Sequence, residues 1–322
     1  MKMRRRPFLI ASAAALAAAC GGGAGIALPT SRPTGAATGA PDELDAISEL
    51  IMSGGPPPDG IPPIEKPQYI SLAEASAQWN DDDVVDAFTI DGEPRAYPRM
   101  ITVWHEIVNE TAEGKPIAIT YCPLTGSTLV FSGVLADGTT TTFGTSGQLY
   151  NSNLVMYDRA TDSMWPQLFA TAVRGDRKGE RLRELTGAVT TTFGRWKRKH
   201  PDGLVLSTDT GHARSYGVSP YGSYDTEEGI IFPVRHQDDR FLQKKVVVGV
   251  RENGAALAIP KAEMAERREA SAEVGSRKIV ALYDEELDAV SVLDRDTTEP
   301  LVAYDVMWFA WYAFNPETAV LE

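Results

Sequence analysis

Val84 to Ile90 alternates apolar and polar side chains, and Asp91-Gly92 follows it directly. A period of two turns one face of a strand toward a core, and Asp-Gly is a strong short turn signal. A hairpin is therefore predicted, with its return strand starting over Pro94 to Tyr97. Met100 to Val108 has mixed periodicity and reads as a short helix. Ile117 to Tyr121 and Thr128 to Phe131 are rich in β-branched and aromatic residues and are parted by Pro123 and Gly126. Two strands joined by a turn are expected, with Cys122 where the first one ends. Leu154 to Asp158 and Ser163 to Gln167 read as a further hairpin, closed by Arg159-Ala160-Thr161-Asp162.

The pattern repeats at long range. Asp91-Gly92-Glu93-Pro94-Arg95-Ala96-Tyr97-Pro98 is echoed by Asn253-Gly254-Ala255-Ala256-Leu257-Ala258-Ile259-Pro260, 162 residues on, and the same offset sets Ile117–Tyr121 over Ile279–Tyr283. Two matches in one register predict a duplication. The expected fold class is β-rich α+β with two related halves, each a small curled sheet or barrel with few short helices. In that register Cys122 faces Asp284, so only the first copy carries a thiol, and Thr142 to Gln167 is an insert specific to it.

The amino terminus has a different pattern. Lys2, Arg4, Arg5 and Arg6 precede an apolar run from Phe8 to Ala19, which has signal-peptide length and is too short for a stable membrane span. Leu16-Ala17-Ala18-Ala19-Cys20-Gly21 resembles a lipoprotein cleavage box, with Leu16 one place further out than usual, so Cys20 is expected to carry a lipid and anchor the chain. An ordinary cleaved signal is the alternative, and either predicts export. Arg5-Arg6-Pro7-Phe8-Leu9 also resembles a twin-arginine export signal, and chance arginines in a basic leader explain the same residues. The expected organisation is a signal peptide over 1–19, a lipid-anchored flexible tether over 20–65, a first repeat unit with the site over 66–200, a connector packed on the core over 201–245, and a second, degenerate repeat unit over 246–322. Loss of residues 1–19 leaves 27 basic against 44 acidic residues, a net charge of −17. Such a surface repels phosphate backbones, so no nucleic-acid partner is expected.

If Cys20 is acylated, Cys122 is the one thiol of the mature chain, and an unpaired Cys in an oxidising compartment is either packed away or kept for its chemistry. Three uses fit its surroundings. The preferred one is a metal site: a thiolate and an imidazole suit copper or zinc, with His105 the partner and Met156 or Met164 as thioethers that would favour copper. The second is a cysteine-nucleophile hydrolase or acyl transferase. There His105 would take the thiol proton, Glu106, Asn109 or Asp158 would orient the ring, and the Thr125-Gly126-Ser127 amides would hold an oxyanion. The third is a non-catalytic envelope module for a small polar ligand, built from Thr125, Gly126, Ser146, Tyr150, Asn151, Asn153, Asp158 and Arg159. His200, His212 and His236 read as loop or surface residues, and turn geometry and hairpin closure account equally for the glycines, Asp158 and Arg159.

Val103-Trp104-His105-Glu106-Ile107-Val108-Asn109, Thr120-Tyr121-Cys122-Pro123-Leu124-Thr125-Gly126, Phe143-Gly144-Thr145-Ser146-Gly147 through Asn153, Met156-Tyr157-Asp158-Arg159 and Ser163-Met164-Trp165-Pro166-Gln167 occur in that order. With Arg214-Ser215-Tyr216-Gly217 and Trp308-Phe309-Ala310-Trp311, they resemble the exported family catalogued as domain of unknown function 3179, over about residues 62 to 322. The resemblance implies no activity. In that family a second Cys often stands where this chain has Thr125, so a two-thiol cycle within this motif is excluded here.

Overall fold

The computed structural model describes residues 41–322. The expected signal peptide, the lipidation site Cys20 and the first part of the tether lie outside the described residues. The rest of the expected tether is structured. Helix Pro41–Glu49 buries Leu44 and Ile47, Met52–Ser53 pairs with Leu149 and Gln148, and Ile64 exchanges backbone hydrogen bonds with Ile107 and Asn109. The prolines and glycines that suggested a linker alternate with these few apolar anchors, which are enough to hold the segment down.

Five small sheets follow from the alternating and branched stretches. The hairpin Val84–Ile90 with Glu93–Pro98 turns at Asp91-Gly92, both residues having positive φ as a two-residue hairpin turn demands. Val189–Thr192, Leu204–Leu206 and Tyr69–Ser71 complete that sheet. A second sheet is the meander Ile107–Ala112, Lys115–Cys122 and Ser127–Ser132. The third joins Met52–Ser53, Phe143–Tyr150, Asn153–Asp158 and Met164–Pro166, with a bulge between Thr145 and Gln148. Val246–Glu252, Ala255–Pro260, Ala303–Met307 and Ala319–Val320 form the fourth, and the meander Glu269–Val274, Arg277–Asp284 and Ala289–Asp294 the fifth. All pairings within these sheets are antiparallel except Glu93–Pro98 with Leu204–Leu206 and Ala255–Pro260 with Ala319–Val320.

The expected two related halves, each one curled sheet or barrel, are thereby corrected. Among the described residues five blade-sized sheets with six short helices form instead, the count and size of a five-bladed propeller. Strands do recur 162 residues apart with equal lengths, but they are not gathered into two units. The largest apolar core mixes Ile107, Cys122, Phe131 and Trp165 with Val247, Trp308 and Trp311, and Met307 donates its N–H to Thr125 O at 2.9 Å. A core shared this way leaves no boundary along which halves could be drawn.

Between Leu206 and Val246 the chain has no helix or strand. This strap, residues 207–245, is laid across the end of the first meander, where Tyr221, Phe232, Val234 and Phe241 pack on the shared core. Loops of this length without regular structure are uncommon in compact domains and often carry function.

Candidate thiol site

Cys122 closes its strand: it pairs with Ser127, and its carbonyl accepts from Gly126 N–H at 2.9 Å. Gly126 has φ +62, and a Cβ there would sit 3.3 Å from the Met307 side chain, so both backbone and packing favour glycine. The thiol is 1 % exposed. Its sulfur accepts the Leu154 N–H at 3.4 Å, and the Ser152 carbonyl lies 3.9 Å away. Burial, and after it the Glu106 carboxyl, push the thiol up to about 11.

Glu106 is the acid at this site. It sits in the turn between helix Arg99–Thr102 and strand Ile107–Ala112, with φ +58, and is buried. Tyr221 OH, from the strap, reaches its Oε1 at 3.4 Å, and burial raises the carboxyl to about 8. Tyr224 donates to Leu124 O at 2.9 Å, and the hydroxyls of Tyr221 and Tyr224 are both pushed up by burial and by proximity to Cys122. Near pH 7 the favoured state is a protonated thiol beside a mostly protonated acid under two phenols. Glu106 entered the sequence reading only as a partner for an imidazole. A charged residue ahead of a strand normally meets water, and the strap that covers it has no periodicity to announce it.

His105 does not reach the thiol in this way. Its Nδ1 donates to Pro62 O at 2.6 Å, because a carbonyl can only accept, and this fixes the neutral tautomer. Nε2 then accepts from Tyr216 OH at 2.6 Å, and Tyr216 is bonded in turn to Thr210. Burial holds the ring down at about 4, so it stays neutral through the physiological range. Both nitrogens are used, and the histidine ties strap to meander. His212, with its ring 5.5 Å from that of His105, is exposed, as is His236, while His200 is half-buried.

The metal expectation meets the same obstacle. Among the described residues no group of three or more His, Cys, Asp or Glu is arranged to hold a metal ion. Met156 is fully buried in the same apolar core as Cys122, but Met164 packs on a separate cluster with Leu44, Ile47 and Val155. The alternation of a strand sends neighbouring rungs to opposite faces, so these thioethers do not converge.

Most of the expected ligand-binding residues are satisfied internally. Thr125 Oγ1 meets Ser127 Oγ at 2.9 Å and accepts from Asn153 Nδ2 at 3.0 Å. Gln167 completes this buried network, accepting from Ser127 and Asn153 and donating to Thr120. Ser146 donates to Val155 O across the bulge, and Asn151 donates to Ala313 O while accepting from Arg235 N–H. Tyr150 stacks edge-on against Phe314. Asp158 closes its hairpin by accepting from Thr161, Ser163 and Trp165, and Arg159 pairs with Asp59 and Glu65 on a different, half-exposed face. The structure therefore gathers Thr125, Asn153 and Gln167 beside the thiol as scaffold and separates Arg159 from it.

The model of the family described as Protein of unknown function (DUF3179) matches residues 58–318. No curated protein and no solved structure matches the chain.

Proposed function

The chain belongs to the DUF3179 family, whose description names no activity, and from that premise we propose an exported, membrane-anchored envelope protein with one thiol-dependent centre. In it Cys122 is the nucleophile and Glu106 the proton carrier. The observation that carries the reading is the thiol's surroundings: the Leu154 N–H meets the Cys122 sulfur at 3.4 Å, the buried Glu106 carboxyl is near enough to push the thiol up, and the ring of His105 is closed by Pro62 and Tyr216.

The reaction class that suits these groups is acyl transfer. The thiol proton passes to the Glu106 carboxylate as Sγ bonds to the carbonyl carbon of an acyl group. Glu106 returns the proton to the departing group, and water or another acceptor cleaves the thioester. Leu154 N–H stabilises the negative sulfur in passing. The carboxyl must be ionised to accept the proton, so the step quickens as pH climbs toward 8. Sγ is closed to solvent, so a substrate reaches it only when part of its cover moves.

The test uses the full chain and p-nitrophenyl acetate. A burst stoichiometric with protein, acetyl mass on Cys122, loss in Cys122→Ser and slowing in Glu106→Gln are expected. No Cys122 adduct on folded protein from neutral to alkaline pH would sink the nucleophile. If loaded copper or zinc is retained stoichiometrically, and lost in both Cys122→Ser and His105→Ala, the Cys/His metal reading displaces this one. Anchoring is checked separately: Cys20→Ser should move the protein from the membrane to the soluble fraction.

A further inference from the structure

The strap also carries groups that the thiol does not use. Arg214 sets its guanidinium over the indole of Trp104, 5.9 Å from the ring centre, and that indole is itself held by Nε1–H donating to Val218 O at 3.1 Å. His212, two residues before Arg214, brings its ring to 5.5 Å from that of His105. Arg214 is near enough to the same ring for its charge to oppose protonation there. An exposed arginine and an exposed imidazole thus sit together beside the closed ring of His105. Neither has a counter-charge among the described residues, whereas Arg95, Arg99, Arg159 and Arg251 all meet carboxylates. Arg214 bonds only to the carbonyl of its neighbour Ala213, at 3.2 Å, and the backbone N–H groups of residues 213–217 find no acceptor in the chain.

Charge decides the class of ligand. A metal ion here would face a guanidinium, and both nitrogens of His105 are already taken, so a cation is disfavoured. A planar guanidinium, an imidazole and a run of unpaired amides are donors, and such a set suits an oxyanion. We propose that His212, Arg214 and the amides of residues 213–217 bind the carboxylate or phosphate group of a small molecule. Contact with Trp104 restricts the guanidinium beforehand, so less freedom is lost on binding. The site adjoins Trp104 and His105, just ahead of Glu106, but it stands whether or not Cys122 is a nucleophile.

Calorimetric titration of the full chain at low salt, with inorganic phosphate and with succinate as probes, is expected to show one anion bound per chain. The tighter probe identifies the group. Arg214→Ala should weaken binding about tenfold or more, and His212→Ala by less. Arg214→Lys keeps the charge but loses the planar fork, so it should recover only part of the affinity. Cys122→Ser should bind as the wild type does, which separates this site from the thiol reading. If neither probe binds below roughly 10 mM, or if Arg214→Ala binds unchanged, the proposal is overturned.

Discussion

The meander Ile107–Ala112, Lys115–Cys122, Ser127–Ser132 and the meander Glu269–Val274, Arg277–Asp284, Ala289–Asp294 have equal strand lengths and left-handed residues at the same turns. Gly126 matches Asp288, and Glu106 matches Arg268, at φ +62, +52, +58 and +68 respectively. The positive φ at Glu106 is therefore a feature of how the chain enters such a meander, and not a mark of chemistry. What differs is cover. From Ile117 to Cys122 the first central strand is buried at every position, whereas along Arg277–Asp284 only Ile279 and Ala281 are. The hairpin Phe143–Asp158, the segment near Glu184 and the strap supply a second layer over the first meander, and the second has none of that extent. One backbone thus becomes either a surface sheet ending in a half-exposed Asp284 turn or an enclosed one ending in a thiol. The added layer decides which.

The largest effect expected from breaking this contrast is in the core. Phe131→Ala removes a fully buried ring and should cost about 3–5 kcal/mol, while Leu293→Ala, at the matching half-buried position, should cost clearly less. Denaturant midpoints compare the two directly, and equal losses would deny that the extra layer matters. Next comes pH. Glu106 is raised from 4.5 to about 8, so its contribution is fully present below about 4.5 and is lost as pH rises toward 8. Wild type should lose stability relative to Glu106→Gln across that window and show no further difference above it.

The turns give the smaller effects. Asn153→Ala leaves Thr125 and Gln167 short of a partner and should cost about 1–3 kcal/mol. Asp284→Ala, which frees a half-exposed turn and an ion pair with Lys199, should cost about 1 kcal/mol. Gly126→Ala at positive φ should cost about 1 kcal/mol or more, and the smallest effect is Asp288→Ala, almost nothing where that residue serves only the turn. The bond from Tyr283 OH to Asp288 Oδ1 is the one contact that could raise the second value, and thermal melts separate the cases.

The local elements were legible. Alternation at Val84–Ile90, the Asp91-Gly92 turn and the branched runs around Cys122 are properties of neighbours along the chain, and strands formed there. The architecture was not, because the partition into five sheets depends on which edges meet across 100 residues or more. The thiol, read as packed away or kept for its chemistry, is buried, and His105, read as its partner, has both ring nitrogens bonded to Pro62 and Tyr216. Imidazole chemistry is conspicuous in a sequence, whereas a carboxyl made unusual by a distant, aperiodic strap looks like any surface acid. The same strap uses Tyr216 to occupy the imidazole.

Residues 209–215 are largely exposed and bound by few backbone hydrogen bonds, so a protease should nick the chain there before it touches any sheet. The break would not release the C-terminal piece. Trp308 and Trp311 are fully buried in the core shared with the first meander, and Met307 is bonded to Thr125, so the two fragments should co-purify as one particle. Molecules of this design can be cut, and in principle reassembled from separate polypeptides, at the segment that covers their thiol.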